Sequence, residues 1–279
     1  MQPPPFAFAG EDGITPKADA YGDGANPAVV LAHGGGQTRH SWGGTAQALA
    51  ERGWYAVAYD HRGHGESEWS DEGLYDLVHF SLDMACLARS CDHPPVIVGA
   101  SLGGLAAMLG AGEIQQEMFR AIVLVDVTPK LNLEGVQRIF DFMHEHIESG
   151  FGSLEEAADA VASYTGRPRR SDTSGLRKNL RERNGRYYWH WDPEFFRPRK
   201  EGPHNPTRVV AAAQSITLPV LLIRGRASDV VTEAQVQEFL ELIPHATYVD
   251  VEKAQHMVAG DRNDIFTEAV LDFLEGISA

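Results

Sequence analysis

The sequence predicts an α/β fold in which a mostly parallel central sheet is flanked by helices and interrupted by an inserted helical lid. Three observations carry this. Short β-branched runs alternate with helix-period segments, as in a parallel sheet covered by helices. One of those runs, Val96-Ile97-Val98, stops at a serine held between Gly99 and Gly103 and turns helix-like at once. The alternation lapses at Pro129 and resumes near Leu218, so residues 130–216 read as an insertion in a core made of 1–129 and 217–279. A chain of 279 residues with 43% hydrophobic content buries one substantial core, which suits one domain with an insertion better than two independent ones.

Taken in order, Ala28 to His33 is expected as a strand, Trp42 to Arg52 as a helix ending near Gly53, and Trp54 to Tyr59 as the next strand. Leu77 to Ser90 has a helical pattern, Pro95 to Gly99 forms the strand before the serine, Leu102 to Ala111 the helix after it, and Ala121 to Val127 another strand. Within the insertion, Leu133 to Ser149, Leu154 to Tyr164 and Leu176 to Asn184 are helix-like, and no strong strand is expected. The core then resumes with a strand from Leu218 to Arg224, a helix from Glu233 to Leu242, a strand from Thr247 to Val251 and a closing helix from Asn263 to Leu274. No internal repeat is visible. The proline-rich start and Gly202-Pro203-His204-Asn205-Pro206 are the linker-like stretches.

Composition narrows the function classes. A net charge of −15 argues against capture of phosphate backbones or anionic lipid, which needs clustered Lys and Arg. The opening Met1-Gln2-Pro3-Pro4-Pro5-Phe6 has no basic region followed by an apolar run, and no later stretch has the length to span a bilayer. The expectation is a cytoplasmic protein with a small-molecule partner and neither a nucleic-acid nor a membrane partner. Cys86 and Cys91 fall five apart on an expected helix, which points them to different faces and marks them as reduced packing residues.

The chemistry concentrates at Gly99-Ala100-Ser101-Leu102-Gly103. A strand that reverses into a helix within one residue forces its serine into a strained conformation and leaves room only for hydrogen at the flanking glycines. Ser101 would then stand at a helix N-terminus, where the Leu102 N–H has no intrahelical partner and can stabilise an oxyanion. A serine hydroxyl is a poor nucleophile at neutral pH, so it needs a base and a carboxylate that orients the base.

Four blocks appear in one order: His33-Gly34-Gly35-Gly36-Gln37, Asp60-His61-Arg62-Gly63-His64-Gly65-Glu66-Ser67, the Ser101 elbow, and the segments bearing Asp229 and His256. With these motifs the chain resembles the α/β-hydrolase superfamily over nearly its whole length outside the lid, on a capped, serine-nucleophile esterase or lactonase branch. The resemblance implies Ser101 as nucleophile, His256 as base and Asp229 as the orienting acid, with Asp126, at the end of the strand after the elbow helix, as the alternative acid. It also implies Gly35 as the second oxyanion donor beside Leu102, with Gly36 as runner-up. Gln255 precedes His256 where the family often has glycine. His33-Gly34-Gly35-Gly36 is similar to the hormone-sensitive-lipase branch, but Ala100 stands where that branch usually carries an acidic residue. His33 is expected to hydrogen-bond its loop, and Asp60 and Arg62 to tie down theirs.

The resemblance therefore implies a hydrolase that cleaves a carboxylic ester or lactone through an acyl-enzyme, with no cofactor and no metal. Carbon–carbon bond hydrolysis and cofactor-free perhydrolase chemistry use the same triad and remain open alternatives, as does a non-enzymatic ligand receptor on the same fold. Epoxide hydrolases and haloalkane dehalogenases are disfavoured, because they place an aspartate where Ser101 stands. His61 with His64 lacks partners at ligand spacing, and His144 and His146 diverge on a helix. Gly65-Glu66-Ser67-Glu68-Trp69 imitates the elbow without its second glycine. In the lid, Phe140, Met143, Tyr188, Trp189 and Trp191 are candidate substrate contacts, alongside Tyr187, Phe195 and Phe196. Arg167-Pro168-Arg169-Arg170 reads as a solvated face.

Overall fold

Alternation along the strands divides the core into two apolar layers. On the strand 28–32, Val29 and Leu31 face one layer while Val30 and Ala32 face the other; on 121–125, Ala121, Val123 and Val125 oppose Ile122 and Leu124. Such strands, apolar on both sides, need helices on both faces. The computed structural model has this arrangement and describes residues 5–166, 168–169, 173–197, 205–252, 254–256, 258 and 263–278. Residues 1–4 of the proline-rich start, Arg167 and Arg170 of the basic run, and Gly202, Pro203 and His204 of the linker cluster lie outside the described residues.

In chain order the core comprises β1 (Phe6–Ala7), β2 (Lys17–Tyr21), β3 (Ala28–Ala32), α1 (Gly43–Glu51), β4 (Tyr55–Tyr59), α2 (Leu77–Arg89), β5 (Val96–Ala100), α3 (Leu102–Leu109) and β6 (Ala121–Val125). The insertion contributes α4 (Leu133–His144), α5 (Leu154–Thr165), α6 (Ser174–Arg177), β7 (Leu180–Arg183) and β8 (Arg186–Trp189). Then follow α7 (Pro206–Gln214), β9 (Val220–Gly225), α8 (Glu233–Leu242), β10 (Thr247–Val251) and α9 (Asn263–Ser278). The eight-stranded sheet has the order β1-β2-β4-β3-β5-β6-β9-β10 and is parallel from β4 to β10. The antiparallel edge strands β1 and β2 are additions to the sequence expectation. Ala46, Leu49, Phe266 and Val270 of α1 and α9 cover one face; Phe80, Met84, Leu105, Val209 and Val236 of α2, α3, α7 and α8 cover the other.

The insertion departs from the expected all-helical lid in two places. Leu176 to Asn184 is not one helix: β7 and β8 form an antiparallel hairpin in which Arg183 pairs with Arg186 across Asn184-Gly185. Both turn residues have positive φ, 52° and 75°, the geometry of a type I′ turn that Asn-Gly favours. The second departure is α7, which lies against the core: Gly112, just beyond α3, meets the Ala212 backbone, and Arg208 pairs with Glu113 at 2.6 Å.

The Asp60–Ser67 loop is tied down as its residue types require. Arg62, 1% exposed, donates from Nε and Nη2 to the two oxygens of Asp83 at 2.7 Å each. The Asp60 carboxylate takes the Arg39 guanidinium and the Glu66 N–H, and its carbonyl accepts from the Ser67 hydroxyl at 2.6 Å. Truncating one partner of a buried pair strands the other charge. Arg62→Ala is accordingly expected to cost about 3–5 kcal/mol in urea denaturation, whereas removing the exposed Arg177–Glu182 pair should cost at most about 1 kcal/mol.

Cys86 and Cys91 are free and half-buried. Burial raises both thiols above their ordinary value, which keeps them protonated and unreactive. Among the described residues no helix is long and apolar enough to cross a membrane.

Candidate active site

The four motif blocks and Asp126 follow the C-terminal ends of parallel strands, where such sheets bind ligands. Register sets the neighbours: Ala32 of β3 pairs with Gly99, Ala100 of β5 with Val125, and Val125 of β6 with Ile223. Ser101, Asp126 and the loop after β9 are therefore side by side across three adjacent strands.

Ser101 has φ 45° and ψ −110°, a strained conformation for a residue with a Cβ. Its N–H donates to the Val125 carbonyl at 3.2 Å. A Cβ at Gly99 would lie 2.6 Å from the Gly103 backbone, and one at Gly103 would lie 2.5 Å from the Ala32 carbonyl, so both flanking positions exclude a side chain. The elbow is thus sterically required, and it places the Leu102 N–H in the first turn of α3.

The glycine loop after β3 sits beside the serine, since a Cβ built on Gly34 would lie 3.3 Å from Ser101 Cβ. Gly34 donates to Gln37 Oε1 at 3.0 Å, and Gln37 N–H returns to the Gly34 carbonyl at 3.1 Å. His33, fully buried, accepts the His61 N–H on Nε2 at 3.0 Å and so carries its proton on Nδ1, which donates to the Gly34 carbonyl at 2.7 Å. In a trans peptide the N–H opposes the C=O, so fixing the Gly34 carbonyl also fixes the direction of the Gly35 N–H. Burial pushes the His33 pKa down to about 4, so the ring is neutral.

The expected pairing of His256 with Asp229 is not found. His256 Nδ1 donates to Asp126 Oδ2 at 2.7 Å, with Asp126 fully buried and the His256 side chain 16% exposed. The Asp126 carboxylate also accepts the Ser228 hydroxyl at 2.5 Å and the Gly225 N–H at 3.0 Å. Asp229 instead makes an ion pair with Arg138 of α4, with 44% of its side chain exposed. The local cause is the turn after β9. Ser228 Oγ accepts the N–H groups of Val230 and Val231, and those two side chains are buried in the core, so Ser228 faces Asp126 while Asp229 is turned outward.

Gln255, where the family resemblance leads one to expect glycine, is exposed, and its backbone packs closely on Gly225. A Cβ at Gly225 would collide with the Gln255 carbonyl and come within 2.8 Å of the Ala254 carbonyl. Lys253 and Met257 of the same segment lie outside the described residues.

Of the residues between 130 and 216 expected at the pocket, Met143 touches the glycine loop: its thioether is the nearest group to a Cβ built on Gly36 and lies 4.0 Å from one on Gly35. Phe195 joins it at 3.9 Å from Gly35. Others pack among residues of the same insertion. Trp189 stacks on Trp191 at 4.8 Å and donates from Nε1 to the Glu145 carbonyl, Tyr188 packs against Gly150, and Phe140 meets Phe196 edge-on. His61 and His64 join a buried cluster with His33 and His190, and among the described residues no three His, Cys, Asp or Glu side chains are grouped to hold a metal ion.

A strand-to-helix elbow with a strained serine, at the carboxyl edge of a parallel sheet and one strand from the buried Asp126 that holds His256, defines the class of fold. A sequence profile of the alpha/beta hydrolase family matches residues 29–269, and the chain belongs to that family. Esterase Rv0045c of Mycobacterium tuberculosis is 30% identical over 264 residues, covering 90% of this chain and 84% of that protein. The 3-hydroxybutyrate-oligomer hydrolase of Cupriavidus necator is 30% identical over 250 residues, covering 85% of each. Among solved structures, E-2-(acetamidomethylene)succinate hydrolase superposes with a TM-score of 0.82 at 21% identity, over 99% of this chain and 100% of that one. Relatives at this level are hydrolases and esterases.

Proposed function

We propose that the protein hydrolyses a carboxylic ester or lactone through an acyl-enzyme formed on Ser101. The observation that carries this reading is the His256–Asp126 contact at 2.7 Å at the edge where the strained serine emerges. Ser101 Oγ attacks the carbonyl carbon while His256 Nε2 takes the hydroxyl proton. Asp126 holds the proton of His256 on Nδ1, which leaves Nε2 free to act as base. The Leu102 and Gly35 N–H groups receive the oxyanion, each contributing on the order of 3 kcal/mol to lowering the barrier. His256 then protonates the departing alkoxide as the C–O bond breaks. Water, deprotonated by His256, attacks the acyl carbon; the Ser101–acyl bond breaks and the serine recovers its proton. Met143 and Phe195, set over Gly35, give the acyl group an apolar wall.

A small fluorophosphonate tests the reading. Intact-protein and peptide masses should show one adduct, on Ser101, that is absent from Ser101→Ala, and the same variant should lose turnover of activated esters by about 10⁵–10⁶. An unlabelled, folded wild type, or an ester-active Ser101→Ala variant, overturns the mechanism.

A further inference from the structure

The glycine loop is gripped from the lid as well as from the core. His190, directly after β8 and 1% exposed, accepts the Gly65 N–H on Nδ1 at 2.7 Å. A backbone N–H can only donate, so Nδ1 carries no proton and the ring proton must sit on Nε2. That Nε2 faces the Gly36 carbonyl at 3.3 Å and donates to it. His33 thus holds the peptide that enters the loop and His190 the peptide that leaves it, with Gly35 and its N–H between them.

The segment carrying His190 is itself fixed to the core. Asp192 N–H donates to the Gly63 carbonyl at 2.8 Å, its carboxylate accepts the Tyr75 hydroxyl at 2.5 Å, and Arg181 of β7 donates to the Gly65 carbonyl at 2.7 Å. The Gly63–Gly65 turn, which the sequence marks only as a structural signature, is therefore the mooring of the lid hairpin. His190 spans from that mooring to the loop beside the nucleophile.

We infer that His190 is a positioning residue for the oxyanion hole, so that docking of the β7–β8 hairpin and correct orientation of the Gly35–Gly36 backbone are one event. This rests on the hydrolase reading, because it gives the glycine loop its task. Transition-state donors must be aimed at where charge develops, and a small rotation of the loop weakens them there more than it weakens ground-state binding. Loss of the His190 bonds also strands the Gly36 carbonyl and the Gly65 N–H.

The test compares His190→Phe, which keeps a ring but neither bond, with His190→Gln, whose amide can donate to the Gly36 carbonyl. Four quantities are read: kcat and KM on an activated ester, inhibition by an alkyl boronic acid that forms a tetrahedral adduct on serine, inhibition by the product carboxylate, and hydrogen exchange of peptides covering residues 34–37. His190→Phe should lower kcat by about 10–100-fold with little change in KM, weaken the boronate by a similar factor, leave the carboxylate within about twofold, and speed loop exchange. His190→Gln should recover most of the loss.

A folded His190→Phe variant with wild-type kcat, boronate affinity and loop exchange overturns this proposal alone. Equal weakening of boronate and carboxylate also overturns it, since that is the signature of general collapse of the pocket. A wild type that neither turns over esters nor bonds the fluorophosphonate overturns the hydrolase reading and this inference with it.

Discussion

Asp126→Asn is expected to lower kcat on an activated ester by about 10⁴, while Asp229→Asn stays within about threefold of wild type. The asparagine keeps the size of the side chain and can still bond to His256, but its NH₂ group presents a donor where a carboxylate only accepts. His256 would then carry its proton on Nε2, the nitrogen that must be free to act as base. Asp229 is paired with Arg138 across the surface between the β9 loop and α4, and an exposed pair of this kind contributes little. Paired kcat and kcat/KM measurements on the two variants decide the matter: full activity in Asp126→Asn, or a comparable collapse in Asp229→Asn, would remove Asp126 from the role. Ser228→Ala should fall between them, because its hydroxyl both bonds Asp126 and is held by two backbone amides.

The second large effect is on stability in acid. His33, His61, His64 and His190 are all buried to 1% exposure or less, and their rings lie against one another, with centroids 4.6 Å apart for His33 and His61 and 5.8 Å for His64 and His190. Removal from water is the main cause that lowers all four pKa values, to about 4 for His33 and about 3 for His64, with His61 and His190 also well below their ordinary value. In the unfolded chain each ring takes up a proton near pH 6.5. Between pH 6.5 and the lowered values the unfolded state therefore binds more protons, and stability falls as the pH falls. At pH 5, His33 and His64 each remove about 2 kcal/mol, and the other two act in the same direction. Against a total stability of about 5–15 kcal/mol this is a large fraction. Urea midpoints should hold steady above pH 7 as far as these groups are concerned and drop as the pH falls below 6.5. His64→Phe should flatten the slope by about one proton. A midpoint constant from pH 7.5 to pH 5 would show that these rings are not held neutral.

Much of the site was legible in the chain. The elbow follows from local sterics, and the clashes at Gly99 and Gly103 are the ones its spacing implies. Helix α8 and strand β10 fall where their periodicity places them, and the order of motifs matches strand ends in a parallel sheet. The β7–β8 hairpin was also written locally, in Asn184-Gly185, but Arg181, Glu182 and Arg183 leave β7 no apolar face to mark it as a strand. The pocket candidates read between residues 130 and 216 divide in the fold into Met143 and Phe195 at the glycine loop and a Trp189–Trp191 stack away from it.

What the sequence by itself determined is everything set by near neighbours: the strand-to-helix reversal at Ser101, the alternating core, the glycines that allow close approach and the family to which the chain belongs. Only the tertiary structure decided which carboxylate meets His256. Asp126 and the loop bearing Asp229 leave adjacent strands about 5 Å apart, and a histidine 130 residues beyond Asp126 can approach either. The choice was made by the burial of Val230 and Val231, which turns Ser228 inward and Asp229 out. The histidine cluster and the reach of His190 to Gly36 likewise join residues as much as 154 positions apart, and contacts at that separation are fixed by packing, not by local pattern.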